Sequence, residues 1–166
     1  TAIEHKRRWI LAEKLADSDE AWDFYRKLHE DRPEDREVLE ALARIAGARG
    51  ETGLAIQFLD GLSKIAESSE EAARYQRRVA EVHLGAEAWD EAREAFLCAL
   101  DHSSDDVAAI EGLEALARQA EDWSALVGVL DRRIRITQGL AQVDLHREVA
   151  RIWEVEKKGA CLHVLK

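Results

Sequence analysis

The sequence contains no methionine and no asparagine, a single proline, nine glycines and two cysteines. So few turn-forming residues exclude an ordinary β-rich domain, which needs a turn signal every few residues. Two cysteines, Cys98 and Cys161, are too few and too far apart for a disulfide framework. Cys98 lies between Leu97 and Ala99, where a thiol acts as a small hydrophobe, so a reducing compartment is expected. There is no run of about 18 apolar residues, so no transmembrane helix is expected. Positive charge is also short: 24 Lys and Arg stand against 34 Asp and Glu, a net charge of −10 with a pI near 5.1. That balance argues against binding nucleic acid, which requires a dense cationic surface to displace phosphate counterions, and against anionic membrane surfaces.

Chemistry-bearing motifs are missing too. The six histidines (His5, His29, His83, His102, His146 and His163) show no His-x3-His spacing, and there is no Cys-x2-Cys, so no metal site is expected. No glycine-rich phosphate loop or nucleophile elbow occurs, so neither a cofactor nor a catalytic residue is expected. Gly47, Gly50 and Gly53 follow no strand and are read as a turn between helices. The first twenty residues are charged throughout and show no signal peptide, which sets a cytoplasmic expectation.

What is present is helical periodicity from end to end. Apolar residues recur at three- and four-residue spacing through Ile3–Leu15, Ala21–Leu28, Val38–Ala46, Leu54–Ile65, Val79–Ala86, Trp89–Leu100, Ile110–Ala117, Leu126–Ile134 and Leu145–Trp153. Asp17 with Glu20, and Ser68 with Glu71, have capping-box spacing, while Ser103-Ser104-Asp105-Asp106 reads as another helix start. Pro33 ends the second helix, because the residue before proline is pushed out of the α region. The last full helix is expected over about 141–157, with a tenth beginning after Gly159. Its abrupt ending suggests a piece of a longer protein.

The helices come in pairs with a period. Ala21 to Ala55 is 34 residues, and so is Trp89 to Trp123. The stretch Arg78–Asp101 is the clearest copy, two short helices broken at Gly85. A pair of this size cannot bury its apolar stripes alone and must stack on its neighbours. Regular spacing argues against the alternative of a single helical bundle.

The segment Ala73–Ser104 resembles a tetratricopeptide repeat. Ala80 stands at the small position, Trp89-Asp90-Glu91-Ala92 at the aromatic-Asp-Glu-Ala run, and Phe96 and Ala99 at the aromatic and alanine positions. Pro33 fits the proline expected after the first repeat, and Leu42-Ala43 and Gly50…Ala55…Leu59 fit the second. Glu114 departs from the pattern at the small position of the fourth repeat, Leu126 replaces its usual alanine, and Trp9 is bulky in the first. The resemblance implies an all-α fold: antiparallel helix-turn-helix repeats stacked into a right-handed α-solenoid of about five pairs. One domain is expected over 1–166, with repeats near 2–33, 34–68, 69–104, 105–139 and 140–166.

In that family the first helix of each repeat lines a concave groove. Carried over position by position, this assigns Arg44, Arg74, Arg77, Arg78, Arg118, Arg147 and Arg151 to partner binding, with Glu111, Lys6 and Lys14 beside them. Arginine suits carboxylates because its planar fork donates two parallel hydrogen bonds. The resemblance therefore implies a non-catalytic scaffold binding a peptide or helix, with acidic character in the partner. The plainer alternative is that these arginines solvate helix faces through pairs such as Glu70–Arg74 and Arg77–Glu81. The family's chaperone-tail binders use asparagines that this sequence lacks. Self-assembly through the C-terminal helix, with Leu162, Val164 and Leu165 exposed, is the alternative function. Trp89, Trp123 and the aligned pair Trp153 and His83 are expected to pack between helices rather than to stack on a ligand.

Overall fold

A computed structural model describes residues 19–164, with side chains through Val155. The helix expected over 2–16, with Lys6, Trp9, Lys14 and the Asp17 cap, lies outside the described residues, as do the side chains of Cys161, Leu162, His163 and Val164 and the whole of Leu165. The described residues form eight helices: α1 (Asp19–Asp31), α2 (Arg36–Ala48), α3 (Thr52–Lys64), α4 (Ser69–Gly85), α5 (Trp89–His102), α6 (Val107–Gln119), α7 (Trp123–Ile136) and α8 (Leu140–Val164). No strand occurs among them. The all-α, antiparallel helix-pair architecture is thus that of a helical repeat.

Four of the helices begin where a short polar side chain satisfies a backbone N–H that has no partner within the helix. Asp35 accepts from the Val38 amide, Ser68 from Glu71, Asp106 from Ala109 and Asp122 from Ala125. The expected Ser68–Glu71 box forms with one change. The Glu71 carboxylate accepts in return from the Glu67 amide at 2.9 Å, one residue before the cap. The stretch α2 shows why the sequence is helical here. Val38, Leu42, Ile45 and Ala46 are each fully buried, on one stripe at spacings of four, three and one.

The turns repeat as well as the helices. After α2, α4 and α6 the chain closes through the same pair of backbone bonds. Glu51 donates to Ala46 and Gly50 to Gly47. Ala88 and Glu87 donate to His83 and Leu84, and Asp122 and Glu121 to Ala117 and Arg118. This is the Schellman closure, whose middle residue is left-handed. Gly50 has φ 72° there, while Glu87 and Glu121 hold φ 58° and 53° without the freedom of glycine.

Two compact units divide the chain, residues through Ser103 and residues from Ser104. In the first, consecutive helices α1 to α5 pack in order. Alternate helices also touch: the Trp22 and Phe58 rings meet edge to face at 6.4 Å across α1 and α3. Tyr75 Oη on α4 donates to Glu40 on α2 at 2.7 Å. In the second, α6, α7 and α8 pack in order around Ala117, Leu126, Leu130 and Ile152.

Two expectations are corrected. Trp89, Trp123 and Trp153 are 43%, 38% and 56% exposed, so none of the three is buried between helices; among the described tryptophans Trp22 alone is buried. The aligned His83 is half-buried. The last helix also runs unbroken from Leu140 to Val164. A lone glycine such as Gly159 costs a helix only about 1 kcal/mol relative to alanine and does not end it without a capping turn.

Candidate functional site

In the first unit, Arg44 lies on α2 and Arg74, Arg77 and Arg78 on α4. Arg44 and Arg74 are exposed, and Arg77 and Arg78 are half-buried. The guanidinium groups of Arg74 and Arg78, one helical turn apart, lie 5.5 and 5.9 Å from the Tyr75 ring centre. Contacts at that range favour a cation over the ring face. Arg74 also reaches Glu71 at 3.4 Å. Burial, then the hydrogen bond to Glu40, pushes the Tyr75 phenol above its ordinary value, so it remains a neutral donor. Arg36 donates to Glu71 at 2.7 Å and Glu67 at 3.4 Å, tying α2 to the start of α4. Arg74 and Arg78 are thus held by Tyr75 on their own helix, and Arg74 by Glu71 as well.

In the second unit the centre of charge is Glu114, the residue out of place in the repeat pattern. Its carboxylate accepts from Arg118 at 2.8 Å and from Arg133 on α7 at 2.6 Å. Arg133 also approaches Glu111 at 3.6 Å, and Arg118 bridges onward to Glu148 on α8. The Glu114 side chain is 13% exposed. Burial opposes its ionisation and is the largest influence. The hydrogen bonds from Arg118 and Arg133 together outweigh it and hold the carboxyl below its ordinary value. Arg118 is thus committed to two carboxylates within the fold.

Arg147 and Arg151 are brought together with a residue the sequence reading placed elsewhere. They line a cleft of about 530 Å³ with Asp144, Glu148, Ile152 and Val155 on α8 and Trp123 at the start of α7. Arg147 pairs with Asp144 at 3.1 Å, one turn back on its own helix. The cleft therefore has an apolar side (Trp123, Ile152, Val155) and a charged side of both signs. Its signal in the sequence was the four-residue spacing of Arg147, Arg151 and Val155, with Glu148 and Ile152 each one residue further on. The participation of Trp123 could not be read, because it depends on how α7 meets α8.

The cleft and the arginine faces can orient carboxylates. Among the described residues no group of three His, Cys, Asp or Glu side chains could hold a metal ion. Cys98 is half-buried, and burial, then Asp101 and Asp60, pushes its thiol up, away from the thiolate that reactivity requires. No helix of the described residues is long and apolar enough to cross a membrane.

No family model matches the sequence, and no curated protein matches it. Among solved structures the chain is similar to the crystal structure of MamA, with a TM-score of 0.54 and 16% identity over 84% of this chain and 89% of that one. At that identity the likeness shows the fold. The fold is tetratricopeptide-like.

Proposed function

We propose, from this tetratricopeptide-like premise, that the protein is a non-catalytic interaction module that binds an acidic peptide or helix of a partner protein. The arginines assigned to this role are Arg44, Arg74, Arg77 and Arg78 in the first unit and Arg118, Arg147 and Arg151 in the second. One observation carries the reading most directly. In a chain of net charge −10, Arg74 and Arg78 stand one turn apart over a buried tyrosine that positions both of them. Side chains fixed before binding lose less entropy on engaging a ligand.

The repeat bounds near 34–68, 69–104 and 105–139 are proposed as the units of this scaffold. Binding of a fluorescent oligoglutamate peptide, followed by anisotropy, tests the function. Arg74→Glu with Arg78→Glu is expected to weaken binding at least tenfold, which is about 1.4 kcal/mol. Binding should also weaken with added salt, as exposed charge contacts do. Unchanged affinity in the double variant, with helicity retained, would remove the arginines from the site.

A further inference from the structure

One face of α8 is complementary to itself. Leu140, Asp144, Arg147, Glu148, Arg151 and Val155 are spaced by four, three, one, three and four residues. At 100° per residue they fall within an arc of about 100° on one side of the helix. This arc is distinct from the side that carries Leu145, Val149 and Ile152 into the core of the second unit. Leu140 is 85% exposed and Val155 64%, and Asp144, Arg147 and Arg151 are exposed between them. Two large apolar residues thus stand open to solvent at the ends of a charged stripe of order acid, base, acid, base.

Placed against a copy of itself, antiparallel, with a two-fold axis between positions 147 and 148, every member of the stripe meets its complement. Leu140 meets Val155, Asp144 meets Arg151, and Arg147 meets Glu148, each pair occurring twice. A two-fold interface requires this reciprocity, in which residue i meets j and j meets i. A parallel pairing would set like charges against like. A partner of a single charge sign would be repelled by half the stripe. We infer that this face of α8 docks a second copy of the chain in antiparallel register, with the Trp123 cleft covered along its edge.

The inference rests on the reading above only in treating this face as an interaction surface; for Arg147 and Arg151 it puts a second copy in place of the acidic peptide, which is left to the other arginines. The described stripe covers 16 residues, about 24 Å of helix. A contact of that length falls below the standard interface size of about 1,600 Å², so a dissociation constant on the order of tens of micromolar is expected.

Sedimentation velocity from about 5 to 500 µM, at low and high salt, tests the register. The wild-type chain should dimerise with increasing concentration. Asp144→Arg alone and Arg151→Asp alone each set like charges opposite one another and should weaken dimerisation at least tenfold. The double variant D144R/R151D exchanges the charges within one chain and should restore it. A wild-type monomer throughout overturns the inference, and so does a double variant no better than the singles. Circular dichroism on each variant separates loss of pairing from loss of fold, since both positions are exposed. The oligoglutamate measurement on the wild-type chain keeps the two readings apart. A monomer that binds the peptide rejects only the dimer, and a dimer that ignores the peptide rejects only the acidic ligand.

Discussion

The pair α4–α5 and the pair α6–α7 carry different chemistry in the same repeat slots. Ala80 and Ala99 occupy two of these slots in the first unit, and both are fully buried. Thirty-four residues on, the slots hold Glu114 and Arg133, joined at 2.6 Å, with side chains 13% and 33% exposed. In the earlier pair α2–α3, Ala43 stands at the first slot and is also buried. The repeat therefore specifies where two helices approach, and either small apolar groups or a paired charge can satisfy the place. A charge is tolerated only with its partner, since an unpaired buried carboxylate costs several kcal/mol.

Moving the charged solution into the apolar slot should give the largest effect. Ala80→Glu should destabilise the first unit by about 4 kcal/mol, by overpacking a fully buried position and burying an unpaired charge. Adding Ala99→Arg should recover part of that loss if the slots are equivalent. Urea denaturation of the single and double variants measures the difference. No recovery would mean that the slots differ in backbone separation and not only in side chain.

Breaking the charged solution where it occurs should cost less. Glu114→Ala leaves Arg133 and Arg118 without their shared carboxylate. A loss of about 1–2 kcal/mol is expected, below the value for a fully buried pair because Arg133 reaches solvent. The same pair predicts a pH dependence. Because the folded Glu114 carboxyl lies below its ordinary value of 4.5, its contribution is complete above that pH. It is lost as the pH falls through the lowered folded value. Glu114→Gln should flatten the acid limb of the stability profile, while Ala80, having no charge, gives its slot no such slope.

The turns allow a smaller test. Glu87→Gly and Glu121→Gly should each stabilise by about 0.5–1 kcal/mol, because glycine adopts the left-handed region without steric cost. Gly50→Ala should destabilise by about 1 kcal/mol, and from backbone strain alone, since an added Cβ there meets nothing within 4 Å. Chemical denaturation curves distinguish the three. The smallest effect is expected at the exposed tryptophans: Trp89→Phe should change stability by less than about 0.5 kcal/mol.

These contrasts show which features were legible in the sequence. Helix type and order followed from the spacing of Val38, Leu42, Ile45 and Ala46 and its counterparts. The boundaries at Pro33, Ser68 and Ser103–Asp106 followed from backbone chemistry within four residues. The break after Gly159 was misplaced because a glycine alone was taken for a terminus without a capping turn. Exposure of Trp89 and Trp123 was misjudged because recurrence at a period identifies a shared position without revealing which side of it faces solvent. Of the candidate site, the arginines could be named from the repeat register. The ring beneath Arg74 and Arg78 could not, nor the Trp123 side of the α8 cleft.

Alone, the sequence determined that this chain would be helical, paired and periodic, because hydrogen bonding, capping and amphipathic spacing act over three or four residues. Only the tertiary structure decided how Glu114 is satisfied. Its partner Arg133 lies 19 residues away, and Arg118 ties the pair to Glu148 at a distance of 30. Such pairings depend on how one helix is set against the next, and the energy of a half-buried charge depends on that placement more than on its neighbours in the chain.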